Sequence, residues 1–216
     1  MASGELTARG AVEAMRSLEG VTEALRRRTA GMTWMIWGFV VPAIFLSYNA
    51  LGATGALDDP GPWLVALLNV LWAPWVAIGV LATRALWRSA ALPMAQDVRK
   101  ARRDGVLQGA LFVGAIFGLM AVVRALDLGL VEPGSALLGV ALASLASGAL
   151  NLNCDDRTDR LAWTYAGLFL LAVVLVTWLA TPSEPEWLPF AVFGTVAPLA
   201  TAIAYVGAGI WLSLRG

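Results

Sequence analysis

Histidine is absent from this sequence, and cysteine occurs once, as Cys154. Histidine is the commonest metal ligand in proteins and the side chain that titrates near neutral pH. Its absence excludes a histidine-ligated haem, a histidine zinc site and a Ser-His-Asp triad. A single cysteine excludes a disulfide within the chain. From these residue types we predict no catalytic residue, no metal site and no cofactor.

Charged residues are also scarce. They make up 14% of the 216 residues, while apolar residues make up 59%; soluble domains average about 25% and about 45–50%. A folded chain of this size leaves much of its surface exposed, so it cannot bury such an excess of apolar residues within itself. Lipid is therefore the predicted solvent for much of the chain, and we expect no nucleic-acid partner.

The apolar residues are gathered in six long runs. A bilayer core of ~30 Å needs about 20 apolar residues in a helix, and a chain in lipid must satisfy its backbone polar groups internally. The sequence therefore predicts an all-α membrane protein, a bundle of six transmembrane helices. The predicted spans are Gly31–Ala53, Pro62–Thr83, Gly105–Val123, Gly134–Leu152, Leu161–Thr181 and Trp187–Leu214.

The basic residues predict how these spans are oriented. If six spans alternate, fourteen of the fifteen basic residues fall on one side, and only Arg124 falls on the other. Because basic loops stay in the cytoplasm, we expect both termini there, in a cell (cytoplasmic) membrane. The fourteen are Arg9, Arg16, Arg26, Arg27, Arg28, Arg84, Arg88, Arg99, Lys100, Arg102, Arg103, Arg157, Arg160 and Arg215.

The residues before the first span predict a cytoplasmic amphipathic helix over residues 1–30, followed by a six-span domain over residues 31–216. No signal peptide is expected, because this segment mixes charged and apolar residues. Glu13 with Arg16 and Glu23 with Arg27 form i,i+3 and i,i+4 pairs on its polar side. The apolar side chains at helical spacing are Val12, Met15, Leu18 and Leu25.

Small residues follow one another at intervals of four in the fourth span and predict a packing stripe. Small side chains allow helix backbones to approach closely in lipid. The stripe favours tight packing within the chain, with a dimer interface as the alternative; Val140 lies off it. Gly105–Gly109 and Gly114–Gly118 in the third span offer similar contacts. The stripe consists of Ser135, Gly139, Ala143, Ser147 and Asn151.

The second span carries the best candidate for a small-molecule or lipid pocket. Asn69, Trp72 and Trp75 are spaced three residues apart, and their polar atoms need partners at mid-membrane depth. The alternative is a satisfied aromatic contact in the core. Proline residues inside spans free backbone carbonyls and bend helices, as in many transporters; here they are Pro42, Pro74 and Pro198.

Two charged segments outside the spans suggest ligands. The string Asp155-Asp156-x-x-Asp159 resembles the magnesium–diphosphate motif of prenyl-transferring and terpene-cyclising enzymes over five residues. A charged hairpin with acids near helix ends is the simpler interpretation. The basic side chains of Arg99, Lys100, Arg102 and Arg103 are expected to attract anionic lipid headgroups.

The predicted layout resembles, in topology alone, the membrane subunits of some ATP-binding-cassette exporters. We rank a transport-related, permease-like membrane subunit for apolar or lipid-like cargo first. It would lack its own energy source, since no phosphate-binding Gly-Lys-Ser/Thr loop is present. A non-catalytic anchor or assembly subunit, with a cytoplasmic protein partner or a second copy, ranks second. A lipid- or isoprenoid-processing enzyme that uses the Asp155–Asp159 loop ranks third, so enzyme activity is uncertain and not favoured.

Overall fold

The computed structural model describes residues 2–53, 70–89, 98–152, 157–183, 185 and 187–215. Within these ranges the regular structure consists of six helices and contains no strand, which confirms the all-α prediction. The helices are α1 (Ala2–Ala53), α2 (Trp72–Ser89), α3 (Val98–Ala125), α4 (Glu132–Ala149), α5 (Arg157–Ala180) and α6 (Trp187–Leu214).

Four of these helices, α1, α3, α5 and α6, are long and apolar enough to cross a membrane. The predicted count of six is therefore not confirmed. Helix α4 has 18 residues, and Glu132, Pro133 and three serines lower its hydropathy. The described part of α2 begins only at Trp72 and includes two arginines, and the first part of its predicted span lies outside the described residues.

Helix α1 is far longer than a single span. Its 52 residues extend about 78 Å at 1.5 Å per residue, more than twice the thickness of a bilayer core. The helix passes residues 30 and 31 without a break, so the predicted amphipathic helix and the first span are one continuous helix. Residues 10–22, called the arm below, are all exposed.

The helices pack in a series with α4 near its centre. Helix α1 lies between α2 and α6, α6 also contacts α4 and α5, and α4 contacts α3 and α5. Helix α4 is buried along most of its length. A helix enclosed by other helices has little contact with lipid, which explains why α4 tolerates serines and a modest hydropathy.

The backbones of α1 and α6 approach each other closely at two pairs of positions. A Cβ atom placed on Gly209 would lie 2.5 Å from the carbonyl oxygen of Gly31, and one placed on Gly31 would lie 2.5 Å from the carbonyl oxygen of Gly209. A Cβ atom placed on Gly38 would lie 3.0 Å from the backbone nitrogen of Val206. At the other end, the Asn49 amide donates a hydrogen bond to the carbonyl of Gly194.

Aromatic side chains fill the space between α1, α5 and α6. The ring centroids of Trp34 and Trp163 are 4.2 Å apart, and the Tyr205 ring is 5.4 Å from Trp34 in an edge-on arrangement. The two indole rings are tilted against each other at 47°, and the edge-on geometry of the Tyr205 pair is a favourable one. The Tyr205 hydroxyl lies 3.1 Å from Ser144 Oγ, and Ser144 donates to the carbonyl of Val140. The buried phenol is therefore hydrogen-bonded.

Candidate functional site

One end of the bundle gathers the basic ends of several helices. Arg26 of α1 lies 3.7 Å from Asp159 at the start of α5, and Arg27 donates to the carbonyl of Arg215 after α6 at 3.0 Å. Trp87, near the end of α2, donates to Thr33 of α1 at 3.1 Å. The start of α5 and the ends of α2 and α6 therefore meet α1 at the same level, called the basic end below.

An ion-pair network fixes the base of the arm at this end. Glu23 accepts hydrogen bonds from Arg26 at 2.9 Å and from Arg27 at 2.8 Å, so the predicted i,i+4 pair is confirmed. Glu23 precedes the apolar stretch that begins at Gly31. The Arg26 hydrogen bond lowers the pKa of Glu23 to about 2, although partial burial opposes the shift. The network therefore stays charged at neutral pH.

The arm itself carries an unpartnered apolar stripe. The four large apolar side chains of the arm and Leu25, just beyond it, are all exposed, and Leu18 is 67% exposed. Three are Met15, Leu18 and Val21, which lie at intervals of three on one face of the helix. Gly20 lies on the opposite face and has nothing within 4 Å. The five side chains are Val12, Met15, Leu18, Val21 and Leu25.

Of the predicted pocket residues of the second span, Trp75 contacts α1. Trp75 donates to Ser47 Oγ at 3.0 Å, and Ser47 in turn donates to the carbonyl of Ala43. Trp72 is half-buried, and its indole nitrogen is buried without a hydrogen-bond partner among the described residues. Asn69 lies outside the described residues, so the proposed pocket stays a prediction.

The predicted stripe of α4 is buried except at its last member. Gly139 faces α3, where an added Cβ would lie 2.6 Å from the Ile116 Cα. Val140 is also buried, at 2% exposed, although the spacing places it off the stripe. The four buried members are Ser135, Gly139, Ala143 and Ser147; within the described part of the chain the Ser147 hydroxyl has no hydrogen-bond partner.

Asn151 lies beyond the end of α4 and is exposed. Its φ of 54° is left-handed, and its N–H donates to the carbonyl of Gly148 at 3.4 Å. The N–H of Leu152 donates to the carbonyl of Ser147 at 3.0 Å. This pair of bonds is a Schellman cap, in which asparagine is a common residue. Asn151 therefore ends the helix and does not extend its packing face.

The glycines of the third span do not make the contacts expected of them. Gly105, Gly109, Gly114 and Gly118 of α3 are exposed, and a Cβ added at any of them would meet nothing within 4 Å. Helix α3 lies at one edge of the series of helices, and its main partner is α4. Its glycine face therefore points away from the described part of the bundle.

The Asp155–Asp159 string and the basic stretch Arg99–Arg103 are each described only in part. Asp159 is only 7% exposed and pairs with Arg26, whereas Asp155 and Asp156 lie outside the described residues. Within the described ranges no three acidic, cysteine or histidine side chains come together to hold a metal. Arg103 is 69% exposed and reaches Asp104 at 3.2 Å, while the other three basic side chains lie outside the described side chains.

Sequence reasoning missed the contacts that tie α1 to the rest of the bundle. Nothing in the sequence pairs Arg26 with Asp159 or Ser47 with Trp75, because each pair is far apart along the chain. The one available signal was the presence of polar residues within otherwise apolar runs. Lipid offers such residues no hydrogen-bond partner, so they must find one within the protein. Comparisons with protein-family models, with curated proteins and with solved structures find no match to this chain.

Proposed function

We propose that this chain is a six-span subunit of a larger membrane complex, a non-catalytic assembly protein that engages a cytoplasmic partner through its arm. The observation that carries the proposal is the arm: α1 continues past the bundle as a helix whose apolar stripe has no partner within the described chain. A helix of this kind is stabilised when its apolar face is buried against another surface.

The fixed base of the arm supports a docking role. Arg26 and Arg27 connect α1 to α5 and α6, and the glycine contact between α1 and α6 holds the first span rigidly below them. A partner bound to Leu18 therefore meets a surface held in a defined position, which lowers the entropy cost of binding.

The six-span topology with cytoplasmic termini belongs to the same proposal. The basic end carries Arg26, Arg27, Arg157, Arg160 and Arg215, and basic segments favour the cytoplasmic side. We expect reporters fused after residues 58, 95, 130, 157, 184 and 216 to alternate between outside and inside, beginning outside. Two neighbouring fusions that report the same side would contradict six alternating spans.

The docking role is tested with a matched pair of arm variants. Leu18→Glu places a charge within the apolar stripe, and Gly20→Glu places the same charge on the opposite face, where there is open space. The full chain is purified from its own cells in mild detergent, and copurifying proteins are measured by mass spectrometry. Loss of an interface hot spot costs about 2 kcal/mol or more, so we expect Leu18→Glu to reduce partner recovery about 30-fold and Gly20→Glu to leave it unchanged.

A transport-related subunit for apolar or lipid-like cargo is the second candidate. It is favoured by the Trp72 indole, whose buried N–H has no hydrogen-bond partner among the described residues, and by Pro42 and Pro198 within α1 and α6. The same purification distinguishes the two. A copurifying ATPase favours transport, and a membrane complex without an ATPase favours the assembly role. A wild-type chain recovered alone contradicts both.

A further inference from the structure

A groove lies along the contact between α4 and α5 at the basic end. It is open to the surface and has a volume of about 560 Å³. Its α4 wall includes Leu145 and Ala149, and its α5 wall includes Arg157, Arg160 and Leu161. The groove is not part of the arm or of the α1–α2 contact.

The α5 side chains of the groove follow helical spacing. Arg157, Arg160, Leu161 and Thr164 occupy positions i, i+3, i+4 and i+7, which form one face of a helix. Asp159 lies on a different face and pairs with Arg26, so its charge is already compensated by a cation of α1. The groove therefore presents two guanidinium groups without an acid from its own helix beside them.

The two arginines are free to bind an anion. Both are exposed, and neither makes an ion pair with any residue that the structure describes. Each guanidinium presents a planar set of donors suited to the oxygens of a phosphate. The hydroxyl of Thr164 is already engaged, because it donates to the carbonyl of Arg160 at 2.9 Å.

The depth of the groove selects a lipid rather than a soluble anion. Arg157 is the first residue of a helix long and apolar enough to cross a membrane, which places the arginines at the level of the headgroups. Leu161 is one turn further into the membrane, and Leu145 of α4 faces the same groove. A phosphate at the arginines would thus continue into an acyl chain against these leucines.

We propose that this groove binds an anionic phospholipid, with its phosphate held by Arg157 and Arg160 and an acyl chain against Leu145 and Leu161. Two cations facing one phosphate leave an excess of positive charge, so the site favours an anionic headgroup over a zwitterionic one. Basic pockets between membrane helices on the cytoplasmic side commonly bind such headgroups. The site is independent of the proposed docking role of the arm.

The test uses the full chain purified in a neutral detergent and native mass spectrometry. The probe is dioleoyl phosphatidylglycerol, compared with dioleoyl phosphatidylcholine and with inorganic phosphate. We expect phosphatidylglycerol to be retained, phosphatidylcholine to be lost, and excess phosphate not to displace the lipid. Equal retention of the two lipids, or displacement by phosphate alone, overturns the proposal.

Two variants locate the site. The double change Arg157→Gln and Arg160→Gln should weaken retention of phosphatidylglycerol about 30-fold, since each basic residue near an anionic headgroup contributes roughly fivefold. The control, Arg84→Gln with Arg88→Gln, removes two exposed charges from α2 near the same end and should change retention about twofold or less. An equal loss in the control would show general attraction to the surface and overturn the site.

A second variant changes the shape of the groove and leaves its charge intact. Ala149 is exposed and lines the groove, so Ala149→Trp fills it without disturbing a packed contact. We expect a loss of lipid retention similar to that of the arginine variant, whereas Ala85→Trp, at an exposed position of α2, should retain lipid normally. Full retention by Ala149→Trp would overturn the proposal, and an unchanged melting temperature verifies that each variant is folded.

Discussion

Replacing Gly209 with alanine is expected to lower the melting temperature of the purified protein by about 2–12 °C. The added methyl group would lie 2.5 Å from the carbonyl oxygen of Gly31 and 2.8 Å from Met35 Cγ. The carbonyl belongs to a helix backbone, so α1 and α6 must separate to admit the methyl group. Such overpacking costs about 1–3 kcal/mol, which corresponds to roughly 2–4 °C per kcal/mol for a chain of this length.

Gly207 provides the control in the same helix. It is exposed, and an added Cβ would meet nothing within 4 Å. Alanine is more favourable than glycine in a helix by about 1 kcal/mol, so Gly207→Ala should leave the melting temperature unchanged or raise it. The two substitutions thus differ in expected sign. If both variants melt at the same temperature in detergent, measured by tryptophan fluorescence, the close approach of α1 and α6 is wrong.

The positions of most helices were predictable because bilayer thickness sets the length of an apolar run. The predicted sixth span, Trp187–Leu214, has the bounds of α6, and Gly105–Val123 lies within α3. Hydropathy alone does not identify α4 as a span, because its burial depends on the helices around it. The length of α1 was not predictable from hydropathy either, since the helix is longer than its apolar run. The sequence does not distinguish one helix that continues through residue 30 from two helices that meet there. No proline or other strong signal at that position favours either arrangement.

Which face of each helix has a partner was not predictable in the same way. Gly114 and Gly139 both belong to patterns of small residues with an interval of four. Only Gly139 lies against another backbone, because α4 is enclosed and α3 is at the edge of the described bundle. Small residues permit close approach, but the order of helices around the bundle decides whether it occurs.

The basic end shows the same division between local and distant contacts. Glu23 and Arg27 are four residues apart, so helical geometry alone predicts their ion pair. The contact of Arg26 with Asp159 joins residues of the first and fifth helices and requires the tertiary arrangement. Asp155 and Asp156, the other acids of the same string, lie outside the described residues, so its interpretation as a charged hairpin stays a prediction.

Replacing Gly139 with leucine is expected to reduce the yield of folded protein strongly, because Gly139 lies directly against the backbone of α3. A Cβ atom at this position would lie 2.6 Å from the Ile116 Cα and 2.9 Å from the carbonyl oxygen of Ala115. Backbone atoms cannot rotate away as a side chain can, so α3 must move as a whole. The expected cost is at the upper part of the usual overpacking range, about 3 kcal/mol.

The same substitution at Gly114 is the matched control, since Gly114→Leu adds the same side chain to a helix position that is exposed and has nothing within 4 Å. A leucine facing lipid is favourable, and leucine also forms helices better than glycine. We therefore expect Gly114→Leu to match the wild type in the amount of monodisperse protein, measured by size-exclusion chromatography in detergent, and Gly139→Leu to fall well below it. A Gly139 variant as abundant as the wild type would contradict close packing of α3 on α4. A loss limited to Gly114→Leu would instead show that the glycine face of α3 is covered, because only a face in contact with another helix is sensitive to the added volume.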